Sequence, residues 1–163
     1  MSDPQDRASR VEAQVHELLD QVRGLDEETL HRAPAEGEWS AIQVLSHVAE
    51  LVPFWARQAR EISERSDDGQ LYGRSTYDAE ADPTRLEAVE QHKRDTLADM
   101  ESRLRDALAQ ALSDLRAIKP NSWSRTARHL DGTVRTAEQA VDELLIHHLD
   151  VHIAQLKKTI LTH

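Results

Sequence analysis

Apolar residues recur at alternating spacings of three and four along four stretches of the chain, and this pattern constrains the fold more than any other feature. Such spacing places apolar side chains along one face of an α-helix. In the first stretch the stripe consists of Val11, Val15, Leu18, Val22 and Leu25. The chain has 163 residues, the size of one domain. We therefore predict an all-α four-helix bundle that forms a single domain over residues 1–163.

Capping residues mark where the predicted helices begin. Ser40 and Gln43 have the spacing of a capping box, and so do Thr136 and Gln139. Pro53 lies inside the second helical stretch and should kink it. The predicted helices cover residues 6–23, 40–65, 84–115 and 136–161, and the segment 116–135 is predicted to be a loop.

The connection between predicted helices 2 and 3 is unusually long. Residues 66–83, about 18 residues, show no helical periodicity, whereas bundle connections usually have about 2 to 8 residues. An extended segment of this length spans about 59 Å, more than the roughly 36 Å length of helix 2. The segment can therefore climb the bundle and set helix 3 parallel to helix 2, and it could also cover a site.

The charge of the chain excludes some classes of partner. With 30 acidic and 20 basic side chains the formal net charge is −10, which repels nucleic acid and anionic lipid. The N-terminus is polar and no apolar run reaches the length of a membrane span, so we expect a cytoplasmic protein that acts on a small molecule. There is no Cys, which leaves nine His as the main candidates for chemistry.

His148 and His152 stand four residues apart in the last helical stretch. Side chains at this spacing share a helix face, so both rings point the same way. Val141 and Leu145 precede them and Gln155 and Leu156 follow on the same seam, which should face the core and where apolar residues are expected. The pair is typical either of histidines satisfied within a core or of two ligands to one metal ion.

A third ligand at the same depth would favour the metal interpretation. His47 lies about seven residues into helix 2, and His152 lies about nine residues before the end of helix 4. If helices 2 and 4 are antiparallel, the depths of these residues differ by only about 3 Å at 1.5 Å per residue. Antiparallel packing therefore brings His47 to His148 and His152.

These residues carry a resemblance to a known family. The chain resembles the DinB/YfiT-like superfamily in Glu38-Trp39-Ser40, Val44-Leu45-Ser46-His47, Phe54-Trp55 and the C-terminal pattern His148-x-x-x-His152-x-x-Gln155-Leu156. The resemblance implies a four-helix bundle in up-down-down-up order. It also implies a divalent metal, nickel or zinc, bound by His47, His148 and His152. Some members of the family use a low-molecular-weight thiol, mycothiol or bacillithiol, in S-transfer or isomerisation.

Two further residues are candidates for supporting the ligands. Glu50 follows His47 by one turn and is the nearest acidic residue that could accept a hydrogen bond from a ligand ring. His147 lies about 100° around the helix from His148 and is interpreted as an interface residue or a support for the ligands.

Three functional interpretations remain open at the level of the sequence. The first is a metal-dependent enzyme, either a thiol S-transferase or a hydrolase. The second is a metal-binding or ligand-binding module without turnover. The third is a structural bundle that forms a homodimer through an exposed helix face and binds no metal.

Overall fold

The computed structural model describes residues 4–65, 71–73 and 83–161. Two short strands accompany the helices, and the last helix includes a π-helical segment. We call α6, the π-helical segment and α7 together the C-terminal helix. The elements are α1 Pro4–Val22, α2 Glu27–His31, α3 Ala41–Glu64, α4 Pro83–His92, α5 Leu97–Ala117, a 3-10 turn Pro120–Ser122, β1 Thr126–Arg128, β2 Val134–Thr136, α6 Ala137–Ala140, the π-helical segment Val141–Ile146 and α7 His147–Leu161.

Contacts at both ends of α3 and α5 show that these helices run parallel. Near their starts, Arg103 Nη1 donates to Ser46 Oγ at 3.2 Å. Near their ends, Arg60 Nη1 donates to Asp114 Oδ1 at 3.1 Å. The chain must therefore climb the length of the bundle between α3 and α5, as the long crossover predicted. Most of residues 66–83 lie outside the described residues, so their predicted role as a cover remains a prediction.

The first and last helices in the sequence, α1 and the C-terminal helix, also run parallel. Arg7 Nη2 contacts Asp142 Oδ2 at 2.9 Å near their starts, and Glu17 contacts Lys157 at 3.3 Å further along. His47, early in α3, meets His152, late in the C-terminal helix, so these two helices are antiparallel. The predicted all-α four-helix bundle in up-down-down-up order is confirmed.

Two helix starts follow the predicted capping boxes. Ser40 N donates to Gln43 Oε1 at 2.9 Å, and Thr136 N donates to Gln139 Oε1 at 2.9 Å. In each case the side chain of the capping residue accepts from the backbone N–H three residues later. These local bonds fix where α3 and α6 begin because they satisfy N–H groups that have no partner within the helix.

The prediction of one continuous helix over residues 84–115 was wrong. The structure breaks it between α4 and α5, where Thr96 caps a new helix and forms a capping box with Asp99. Asp95 bonds back to the ring of His92, with Oδ2 2.8 Å from Nδ1. The capping bonds at Thr96 replace helical ones, so α4 becomes a separate short helix that packs against α3.

The segment predicted as a loop contains a short hairpin. β1 and β2 pair antiparallel, with Ala127 opposite Arg135. Tyr72, from the crossover, bonds to this hairpin through its backbone N–H and the carbonyl of Arg128 at 3.0 Å. Gly73 then lies against the ring of His129, where a Cβ would be only 2.2 Å from Nε2. The hairpin therefore anchors one point of the crossover.

The buried face of the C-terminal helix differs from the predicted one. Within the π-helical segment, Val141 and Leu145 are buried as predicted. Downstream, the buried residues are Leu149, Ile153 and Leu156, whereas the predicted core positions of His148 and His152 are only half-buried. None of the helices in the described part of the chain combines the length and hydropathy needed to cross a membrane.

Candidate metal centre

His47 is the most enclosed of the three candidate ligands. It lies two turns into α3, and only 4% of it is exposed. Its ring contacts Trp39 on one side, with ring centroids 5.3 Å apart, and His152 on the other, with centroids 4.6 Å apart. The Ser40 capping box fixes the start of α3 and so the position of His47 along the helix.

His148 and His152 form the opposite side of this cluster. They are one turn apart on α7, with ring centroids separated by 6.3 Å and ring planes inclined by 43°. The ring of His152 meets that of His47 edge-on, at 81°. The antiparallel packing predicted for helices 2 and 4 thus brings together the three histidines chosen from the sequence.

Gln155 contacts one of the two ring nitrogens of His152. Its Oε1 lies 2.8 Å from Nδ1 of His152. Because an amide oxygen only accepts, this contact suits the tautomer with the proton on Nδ1 and the lone pair on Nε2. This is the usual way in which a protein orients a histidine ligand. The sequence analysis quoted Gln155 only as part of a motif and missed this role, although its position one turn after His152 was a readable signal.

A cavity of about 780 Å³ opens beside the three rings. Its walls come from the segment before α3, from α4 and from α7, and they are apolar at Trp39, Leu86 and Val151 but charged at Glu38 and Lys158. The volume lies within the range of small-molecule sites, about 300 to 1,000 Å³. The lining residues are Pro34, Ala35, Gly37, Glu38, Trp39, His47, Leu86, His148, Val151, His152, Gln155, Lys158 and Thr159.

The two supporting candidates differ in their surroundings. Glu50 is half-buried, with its Oε2 atom shielded from solvent one turn after His47. His147 is exposed, and it does not line the cavity. The position of Glu50 is therefore compatible with the role predicted for it, and the position of His147 gives its predicted role no support.

The three rings have some of the spacing of a metal site but not its full arrangement. Two tetrahedral histidine ligands at about 2.1 Å from an ion have ring centroids roughly 5 Å apart. The separation of His47 and His152, 4.6 Å, is close to this value, whereas that of His148 and His152, 6.3 Å, is longer. Among residues 4–65, 71–73 and 83–161, however, no three His, Asp or Glu side chains stand in a ready-made ligand arrangement. The donors fit a divalent ion in type and approximate spacing, and the rings would have to turn toward a common point.

Two solved structures share this architecture. YfiT from Bacillus subtilis, described as a probable metal-dependent hydrolase with an unusual four-helix bundle topology, is 18% identical with a TM-score of 0.76 over 98% of this chain and 87% of its own. A mycothiol-dependent maleylpyruvate isomerase is 13% identical with a TM-score of 0.70 over 95% of this chain. The match spans only 61% of the isomerase. At these identities the likeness establishes the fold.

A comparison with curated protein sequences found no match. The sequence pattern of the DinB superfamily, by contrast, matches residues 10–156, which cover α1 from its seventh residue to the middle of α7. The match includes all three candidate ligands and the whole crossover. The chain therefore belongs to the DinB superfamily.

Proposed function

We propose that this protein is a divalent-metal-dependent enzyme acting on a small molecule, with His47, His148 and His152 as the metal ligands. The observation that carries the proposal is the meeting of three histidine rings from two antiparallel helices at the wall of a cavity of about 780 Å³. Neutral imidazole donors suit both nickel and zinc, the metals implied by the family resemblance.

The donor set favours a catalytic site over a structural one. Structural zinc sites are closed by four protein ligands, whereas catalytic sites use three and leave a position for water or substrate. When bound, such an ion lowers the pKa of a thiol or a water molecule and polarises an electrophile. The residues of this chain would hold it through Nε2 of His152, with Gln155 fixing the proton on Nδ1, while Trp39 and Leu86 keep one side of the cavity apolar.

Thiol S-transfer is the reaction we favour. One of the similar solved structures is a mycothiol-dependent enzyme, and the cavity is large enough for a small thiol and an electrophile together. In this reaction the thiol gives its proton to solvent, and its sulfur forms a bond to an electrophilic carbon. The bond from that carbon to the leaving group breaks, and the leaving group takes the electron pair and a proton from solvent. Low-molecular-weight thiols are therefore the proposed cosubstrate.

Hydrolysis is the second candidate. YfiT, described as a probable metal-dependent hydrolase, matches this chain over nearly its full length. The same ligand set would serve a water nucleophile in place of a thiol. A binding module without turnover has less support, because the cavity beside the rings would admit a substrate. A structural homodimer that binds no metal is the alternative that would contradict the proposed function.

The first experiment is metal analysis of protein purified without a nickel column. We expect close to one equivalent of nickel or zinc, or stoichiometric uptake of either metal by protein treated with a chelator. Less than about one tenth of an equivalent, together with no uptake, would contradict the proposal and favour the structural bundle.

The second experiment identifies the reaction. Metal-loaded protein is incubated with electrophiles and several thiols, and in parallel with small esters and amides, while free thiol and released acid are measured. Thiol consumption that depends on the metal supports S-transfer, and acid release supports hydrolysis. If neither occurs, binding without turnover is the better account.

A further inference from the structure

In an uninterrupted α-helix the buried apolar positions of the C-terminal helix, from Val141 to Ile153, would spread over an arc of about 120°. Val141 and Leu149 are both fully buried. They are eight residues apart, which at 100° per residue leaves them about 80° out of phase in a regular α-helix. The π-helical segment Val141–Ile146 takes up the surplus residue, so that both side chains face the core.

The π-helical segment determines the direction in which His148 and His152 point. In a continuous α-helix, Leu145, His148 and His152 would share one face, at spacings of three and four. One surplus residue turns everything downstream by about 100° relative to that face. Leu149 and Ile153 then take the core positions, and His148 and His152 come to the flank, where they meet His47 and the cavity.

Gln14 of α1 holds the junction at which this adjustment ends. It is only 4% exposed, and its Nε2 donates to the backbone oxygen of Ile146 at 2.9 Å and to Oδ1 of Asp150 at 2.8 Å. Ile146 is the last residue of the π-helical segment, and Asp150 lies in the first turn of α7. The two bonds from α1 therefore bracket His147, His148 and Leu149.

We propose that Gln14 is a positioning residue for the candidate metal centre. It fixes the junction between the π-helical segment and α7 in the register that turns His148 and His152 toward His47. A buried amide bonded at two points restricts both rotation and sliding of the turn, which a single contact would not. The importance of this role for metal binding rests on the function proposed above, whereas the role in fixing the register does not.

The test compares Gln14→Met with Val15→Ala. Methionine keeps the volume of the side chain but removes both hydrogen bonds. Val15→Ala shortens a buried side chain of the same helix, costs stability, and leaves the bonds of Gln14 in place. Asp150→Ala, at an exposed position, removes one of the two bonds without a risk to folding.

Two quantities are measured on each variant. The first needs no metal: NMR contacts between the ring protons of His47 and His152 in the metal-free protein. The second is the affinity for nickel and zinc by competition with a chelator. For Gln14→Met we expect the ring contact to be lost and the affinity to fall about 10-fold or more, as is typical when a residue supporting a ligand is removed. Asp150→Ala should show a smaller change in both.

The outcomes separate this inference from the proposed function. Val15→Ala should keep the ring contact and the metal affinity, even if its unfolding temperature is lower than that of the wild-type protein. If Gln14→Met keeps the ring contact, or if Val15→Ala loses it equally, the positioning role is wrong. If the wild-type protein binds no metal but Gln14→Met still loses the ring contact, the proposed function fails and the positioning role stands.

Discussion

The two halves of the C-terminal helix both carry polar side chains toward neighbouring helices, but they differ in what surrounds them. In the first half, Glu138 and Asp142 are matched by Arg7, which is 4% exposed and lies 5.4 Å from the ring of Trp123. In the second half, His148 and His152 face another histidine and an open cavity. The difference separates a polar cluster that joins helices from one that can receive a ligand.

The physical basis of the first cluster is charge matching. Arg7 donates from Nε to Asp142 at 2.9 Å and from Nη2 to both carboxylates, at 2.9 Å to Asp142 and 2.6 Å to Glu138. The hydrogen bond to Asp142 raises the pKa of Arg7, against the lowering effect of burial. All three charges are satisfied within the protein, and nothing in the cluster requires an ion. The histidine cluster offers imidazole nitrogens beside open space, as the proposed metal site would require.

The largest effect is expected on metal binding, when a ring of the histidine cluster is removed. His152→Ala removes the ring at the centre of the histidine cluster, and we expect it to reduce metal affinity by more than the roughly 10- to 100-fold typical of a lost supporting residue. Unfolding of the metal-free protein should change little because His152 is half-buried. His16→Ala, at an exposed position of α1, is the control. Equal metal content in His152→Ala and wild-type protein would exclude His152 as a ligand.

The next effect concerns stability. Arg7→Leu should lower the free energy of unfolding by about 2 kcal/mol, less than the 3 to 5 kcal/mol of a fully buried pair because Glu138 and Asp142 stay partly exposed. Metal stoichiometry of the folded protein should remain unchanged. Urea denaturation measures the first quantity. Arg10→Gln breaks an exposed pair with Asp150 and should change stability by less than about 0.5 kcal/mol. If Arg7→Leu and Arg10→Gln lowered the free energy of unfolding by similar amounts, the buried Arg7 cluster would be no more stabilising than an exposed ion pair.

A smaller effect is expected from the residue that orients His152. Gln155→Leu removes the acceptor for Nδ1–H, so we expect metal affinity to fall about 10-fold, with little change in stability. Gln155→Glu restores an acceptor and should recover most of the affinity. Titration against a competing chelator gives both values. Unchanged affinity in Gln155→Leu would show that the hydrogen bond does not support a ligand.

The smallest effect is expected from His147, and it tests whether a residue next to a candidate ligand in sequence supports metal binding. His147 is adjacent to His148 but exposed and outside the cavity lining. His147→Ala should therefore change metal affinity by less than about twofold and stability by less than about 0.5 kcal/mol. A large loss of affinity would restore His147 as a support for the ligands, as the sequence first suggested.

Local signals explain why much of the fold could be predicted. Ser40 with Gln43 and Thr136 with Gln139 fix helix starts through bonds between neighbours in sequence. The same chemistry at Thr96 was present in the sequence, but the apolar stripe continued across it, and the break between α4 and α5 was overlooked. The depths of His47 and His152 could be compared because the rise per residue of a helix is constant.

By itself the sequence determined the helical architecture, the order of the helices through the long crossover, and the choice of three histidines. Only the tertiary structure decided which way those histidines face. Val141 and Leu149 both face the core, and they are aligned by a π-helical segment whose end is held by Gln14 from another helix. That rotation depends on packing between elements far apart in the chain, so periodicity within one helix could not reveal it.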